Sequence, residues 1–282
     1  MRPAGFAMMA GVVRMLALET SARVGSVALF EDDQLVAQET FAHGLQNAAR
    51  LLPLIDELCK RHRLTPKDIG LVAVSIGPGS FTGLRIGVTL AKTLCYATGA
   101  KLVAVPSLEV IAANAPADAR YIMPVLDARR GQVFAAVYQR GEGPKTAAAG
   151  EPRAESEVGS SEVSKEPLAI GNGQRAMGDV LTECLPAELS PLAGVIARAP
   201  RPLTILGEGI TAHREAIPAD ASITILGEDF WTPNAVTVGR MALLLAQRGD
   251  FAEAFKLTPV YMRKPEAQER MEAGLLKHLE NT

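Results

Sequence analysis

Three successive antiparallel strand patterns, helix and strand alternating after them, and a strand–turn–strand pattern that restarts in the second half predict a duplicated α/β fold. The first copy has the ribonuclease-H-like order β-β-β-α-β-α-β, and the second opens on the same strand, polar turn and strand. A Rossmann order would need a helix between the first strands, and none fits there. The 282 residues are enough for one large or two ordinary domains, and 48% of them are hydrophobic, so a sizeable core can be buried.

Met15 to Glu19 is an apolar strand, and Thr20 to Arg23 a tight polar turn. Val24 to Phe30 and Gln34 to Phe41 complete a meander around the turn at Glu31 to Asp33. A helix follows, with Leu51, Ile55, Leu58 and Cys59 on one face. Pro53 would cost about 3 kcal/mol deep in a helix, so the regular part is expected to start near it or kink there. Ile69 to Ile76 is a continuous apolar run, as in a central buried strand. A glycine turn, a helix from Phe81 to Ala97, a strand from Lys101 to Val105 and a short helix near Ser107 to Asn114 close the first unit.

The pattern then restarts. Tyr121 to Leu126 is a strand, Asp127 to Gly131 a turn, and Gln132 to Gln139 a second strand. Residues 141 to 166 have no hydrophobic period and read as a flexible insertion. Beyond it come Gly171-Asn172-Gly173, a helix near Gln174 to Leu185, and a Pro- and Ala-rich loop. Leu203 to Leu206 and Ile223 to Leu226 are strands, and Val236 to Gln247 an amphipathic helix. The expected division is a disordered extension at 1–14, domain I at 15–115, domain II at 116–231, and a segment 232–265 packing back on domain I. The tail at 266–282 is expected to fray. In the extension, Pro3, Gly5 and Arg14 interrupt the apolar run and no small-x-small cleavage site is separated from the strand that follows, so it does not read as a signal peptide.

Twenty-nine Lys and Arg against 31 acids leave a net charge of -2, which excludes nucleic-acid binding by bulk field. The short cluster Lys60, Arg61, His62, Arg63 ends a helical pattern, where it offsets the helix dipole. Cys59, Cys95 and Cys184 are scattered, with no CxxC, arguing for a reducing compartment and against a zinc site. His43, His62, His213 and His278 form no ligand spacing either. No run is long enough to span a membrane, and a cytoplasmic location is expected.

The most informative segment is Ser75-Ile76-Gly77-Pro78-Gly79-Ser80-Phe81-Thr82-Gly83-Leu84-Arg85-Ile86-Gly87. Gly77 and Gly79 let the chain turn off the strand, and Ser80 is placed to cap the helix. Such a junction can hold an anion on its backbone N–H groups, with Thr82 beside it; equally it can be an ordinary tight turn. It is not a P-loop, since the lysine of that motif is missing. Along the helix, Gly83, Gly87, Ala91 and Cys95 recur every four residues as a ridge of small side chains, while Ile86, Leu90 and Leu94 form a separate apolar ridge. Glycine inside a helix costs about 1 kcal/mol relative to alanine, so another backbone should pack closely there, from this chain or from a partner. Asp127, Arg129 and Arg130 occupy the second hairpin turn, either as an Asp turn-former with solvated arginines or as a contact to partner or nucleotide.

The runs GPGSFTGLRIGVTLAK, MLALETSARVGSVALF, LDARRGQVFAAVY and PVYMRKPEA together resemble the TsaB (YeaZ) family of tRNA threonylcarbamoyladenosine biosynthesis proteins, over about Met15 to Pro265 without the insertion. The resemblance implies an actin/Hsp70-like fold and a non-catalytic partner of a TsaD-like subunit, which itself uses metal and threonylcarbamoyl adenylate. A TsaE-like ATPase would assist, the chain would form a homodimer when alone, and tRNA would be reached only through the complex. It also implies that the helices at Gln46–His62 and Phe81–Ala97 form the interface. The expected partner residues are Leu51, Ile55, Leu58, Gly83, Gly87 and Ala91. The expected anion or nucleotide cleft comprises Gly77, Gly79, Ser80, Thr82, Asp127 and Arg129.

Two departures limit catalysis. Metal-binding relatives carry His-x-x-x-His where this chain has Ser107-Leu108-Glu109-Val110-Ile111. Glu19 stands where the family usually has Asp, and its longer reach would displace a metal. No required cofactor is expected, with weak ATP or ADP binding at most. The alternatives are an independent ATPase or phosphotransferase of the actin-like fold and, behind it, a metallopeptidase. Tyr261 is expected to pack the tail against the first domain.

Overall fold

A computed structural model describes residues 12–42, 45–141 and 181–263. The 141–166 insertion beyond residue 141, the Gly171-Asn172-Gly173 turn, the extension at 1–11 and the charged tail lie outside the described residues.

The first sheet is built from β1 (Arg14–Glu19), β2 (Val24–Glu31), β3 (Gln34–Ala42), β4 (Leu71–Ser75) and β5 (Lys101–Val105), in the order β3-β2-β1-β4-β5. β1 pairs antiparallel with β2 and parallel with β4. β1 starts one residue earlier than expected, because Val13 is already buried and Val13 and Asp32 exchange hydrogen bonds at the open end of the β1–β2 hairpin. Helices α1 (Leu45–Arg61) and α2 (Phe81–Thr98) cover one face. α1 neither starts nor breaks at Pro53, which sits on its exposed side, where water can satisfy the carbonyl the proline leaves free. Ser80 caps α2 by accepting from the Gly83 N–H at 3.2 Å, and Gly99 ends it with a left-handed φ of 75°.

The second sheet repeats this topology with β6 (Tyr121–Asp127), β7 (Val133–Arg140), β8 (Leu181–Ser190), β9 (Leu203–Leu206) and β10 (Ile223–Ile225), in the order β10-β9-β6-β7-β8. This is a duplicated ribonuclease-H-like, actin-like α/β fold. One expectation fails here: residues 181–185 are strand, not helix. β8 is an edge strand, and its Pro186 falls where the β7–β8 register shifts, so no ladder bond is lost. The loop expected after it likewise contains α4 (Leu192–Arg198), whose Leu192, Val195 and Ile196 have helical spacing and are buried.

Three further helices complete the fold: α3 (Ser107–Ala112), α5 (Gly209–His213) and α6 (Ala235–Gln247). α6 covers the second face of the first sheet, where Val238, Met241 and Ala242 meet Met15, Ala17 and Phe30. α3 joins the two cores, since Val110 packs with the α6 cluster and Leu108 and Ile111 pack under the second sheet.

Candidate functional site between the two sheets

The duplication places the turn after β1 and the turn after β6 on either side of one cleft. Its volume is about 450 Å³, and its lining includes Ser21, Arg23, Gly79, Ser80, Asp127, Arg129, Glu208 and Trp231. Of the residues expected here, Gly79, Ser80, Asp127 and Arg129 come together, whereas Gly77 and Thr82 are not part of the lining.

Close backbone approach shapes the first wall. The Ser80 N–H donates to the Ser21 carbonyl at 2.7 Å, and a Cβ on Gly79 would lie 2.5 Å from that oxygen. Gly77 has φ 111°, a conformation that favours glycine, and a Cβ there would meet the Val260 carbonyl at 2.7 Å. Glu19, at the end of β1, is fully buried. Its Oε1 accepts from the Ser21 N–H at 2.5 Å and the Ser21 hydroxyl at 2.6 Å. Glu19 Oε2, Thr20 Oγ1 and Ser75 Oγ complete no hydrogen bond among the described residues. Burial pushes the Glu19 carboxyl above its ordinary range, outweighing hydrogen bonding from Ser21 and the influence of the nearby Ser75 hydroxyl. The carboxyl that an ATPase of this fold would direct at magnesium is therefore held inside its own turn.

The second wall is a strained hairpin. Arg129, Arg130 and Gly131 all have left-handed backbone, with φ of 65°, 54° and 73°. Asp127 Oδ1 accepts from the Arg129 N–H at 2.9 Å and lies 3.2 Å from His213 Nε2. Burial alone would raise the Asp127 carboxyl, but the Arg129 amide, His213 and the Arg129 charge hold it below its ordinary value. The cleft thus carries two carboxyl side chains, from Asp127 and Glu208, and two guanidinium groups, from Arg23 and Arg129. Among the described residues there is no cluster of three or more His, Cys, Asp or Glu able to hold a metal ion. Burial pushes the Cys95 thiol up to about 11, so it offers no thiolate near neutrality.

The residues expected to form the partner surface require correction. Leu51, Ile55, Leu58 and Ala91 are buried in the core beneath α1 and α2, and Gly83 and Gly87 are buried on the inner side of α2. A Cβ on Gly87 would lie 2.2 Å from Thr20 Oγ1. The ridge is small so that α2 can lie against the turn after β1. What remains outside is the other apolar ridge, Ile86, Leu90 and Leu94, which is half-buried, together with the exposed Leu52 and Tyr96. Arg23, Glu208 and Trp231 were missed as cleft residues. Arg23 carried one usable signal, since its turn is the counterpart of the Asp127 turn in the other half.

Sequence comparison agrees with this geometry. A family model described as TsaD, tRNA N6-adenosine threonylcarbamoyltransferase, matches residues 45–156. The tRNA threonylcarbamoyladenosine biosynthesis protein TsaB of Bacillus subtilis is 39% identical over 44% of this chain, a stretch spanning only 55% of that protein. The solved structure of YeaZ from Pseudomonas aeruginosa superposes with a TM-score of 0.65 at 22% identity, over 88% of this chain and 99% of that one. TsaB of Escherichia coli is 31% identical over 60% of this chain and 75% of its own length. With that much of a relative matched, and the two turns and their glycine junction in the corresponding fold, the chain belongs to the TsaB (YeaZ) family.

Proposed function

We propose that the chain is a non-catalytic subunit for threonylcarbamoyladenosine modification of tRNA. It pairs with a TsaD-like catalytic subunit, works with a TsaE-like ATPase, and forms a homodimer when alone. The observation that carries the non-catalytic reading is Glu19: the carboxyl at the head of the first strand is buried and engaged by Ser21 instead of being open to a metal. The net charge of -2 supports contact with tRNA only through the complex. Arg23 and Arg129 beside the α2 N-terminus support weak adenine-nucleotide binding in the cleft as a subsidiary property. The partner surface is the outer side of α1 and α2, around Leu52, Ile86, Leu90 and Leu94.

Affinity purification of the tagged protein from native lysate tests this. A TsaD-like protein should co-elute in near-equal amount, and elution without one would overturn the pairing. Leu52 is 55% exposed, so Leu52→Asp should leave folding intact. It should weaken co-elution by about tenfold or more, as expected for a charge placed in a desolvated interface centre.

A further inference from the structure

We infer that residues 257–263 form a clasp that holds the two domains at one opening of the cleft, and that releasing this clasp widens it. After α6 the chain returns along β5, where the Ala252 N–H donates to the Leu102 carbonyl at 2.8 Å. It is then tied to domain I. Lys92 Nζ donates to the Phe255 carbonyl at 3.2 Å and to the Leu257 carbonyl at 3.0 Å. The Val260 N–H donates to the Ile76 carbonyl at 2.7 Å, and the Val260 carbonyl presses on Gly77 so closely that a Cβ there would reach 2.7 Å from it. Tyr261 stacks on Phe81 with ring centroids 4.8 Å apart and accepts from Arg85 Nε at 3.1 Å. Arg85 in turn lies over the Phe81 ring, 4.0 Å from its centroid.

Two residues later the same segment grips domain II. Met262 packs against the core cluster of the second sheet. Arg263 Nη1 donates to the Ala128 carbonyl and Nη2 to Gln132 Oε1. These are the two ends of the hairpin turn whose left-handed run presents Asp127 and Arg129 to the cleft. The Ala128 N–H already donates to the Gln132 carbonyl at 3.0 Å, so Arg263 caps a closed loop from outside. Both guanidinium contacts involve a charged donor, the stronger class of hydrogen bond. The chain crosses between the domains twice, after α3 and before α6. Trp231, Thr232 and Pro233 of the second crossing line the cleft, whereas residues 257–263 do not. The clasp is thus a third, non-covalent connection apart from these crossings, running from the glycine turn of one half to the hairpin turn of the other.

The test is the distance between nitroxide labels at Arg50→Cys in domain I and Glu215→Cys in domain II, in a Cys184→Ser background of the full chain. Arg263→Ala should lengthen and broaden the distance distribution while the cooperative melt is retained. Amide exchange at Ala128 and Gln132 should rise by about tenfold or more, the scale expected for losing hydrogen bonds to a charged group. Tyr261→Ala should do the same from the other anchor and also expose the Val260 amide, which Arg263→Ala should leave protected. Should Arg263→Ala fail to fold, Arg263→Met removes both guanidinium contacts while keeping a side chain of similar length, and is expected to widen the cleft. An unchanged distance distribution in whichever of these variants folds would overturn the clasp.

Discussion

Gly87→Leu should lower the stability of the protein by about 3 kcal/mol or more, at or above the top of the range for overpacking a core. For a chain of this size that corresponds to a fall in melting temperature of roughly 6–12 °C. Thr20 is fully buried, and its Oγ1 lies 2.2 Å from where the new Cβ would stand, so the first added carbon already collides. The better helix propensity of leucine returns only about 1 kcal/mol. Gly87→Ala should destabilise in the same direction by less. Thr20→Ala in the same chain should restore most of that loss, because Thr20 Oγ1 has no hydrogen-bond partner among the described residues to forfeit. Thermal melting followed by circular dichroism reads all three. If Gly87→Leu melts like the parent, α2 does not pack against the turn after β1.

Glu19 should make stability fall as pH rises from the acid side. In the unfolded chain its carboxyl loses its proton near the ordinary value of 4.5, while burial keeps the folded carboxyl protonated to higher pH. Between those two values the folded state binds the extra proton. Its contribution is complete below 4.5 and is lost as pH rises through the folded value. Asp68, Asp127 and Asp220 are shifted downward, so their stabilisation is lost only on further acidification below their ordinary value of 3.8. The two trends therefore occupy different windows. Glu19→Gln keeps the shape without the titrating proton and should flatten the stability profile above 4.5. Glu19→Ala should lose about 3 kcal/mol or more at any pH, because the Ser21 N–H and hydroxyl lose their acceptor inside a buried turn. Denaturant melts of the parent and both variants between pH 5 and 8 would show this. A parent profile that rises across the range, or a Glu19→Gln profile with the same slope as the parent, would contradict the assignment.

Much of the fold was legible because its signals were local. The apolar runs of β1, β2 and β4 and the cap at Ser80 each specify structure within a few residues. β8 was not legible, since Pro186 argues against a strand until its position at a register shift is known. Yet the duplication itself required a third antiparallel strand in the second half, and that topological argument could have found it. The small-residue ridge shows the complementary limit. Helical spacing at Gly83, Gly87 and Ala91 establishes that something packs closely, but identifying Thr20 as the neighbour of Gly87 requires the tertiary fold. The cleft was half legible: Gly79, Ser80, Asp127 and Arg129 belong to turns that mark themselves by composition, whereas Trp231 arrives from a distant segment with no motif, and Glu208 sits in the glycine turn Gly207-Glu208-Gly209, whose place at the cleft only the tertiary fold reveals.

The proposed role requires that the chain be needed for threonylcarbamoyladenosine without carrying out its chemistry. The direct measurement is mass-spectrometric quantification of that nucleoside in total tRNA from cells depleted of this protein. The modified nucleoside should fall sharply on depletion. It should return both with the parent chain and with a fully folded Asp127→Asn, Arg129→Ala variant, which alters the cleft without touching the outer side of α1 and α2. Unchanged nucleoside after depletion would contradict the role in the pathway, and failure of the folded cleft variant to restore it would contradict the non-catalytic reading.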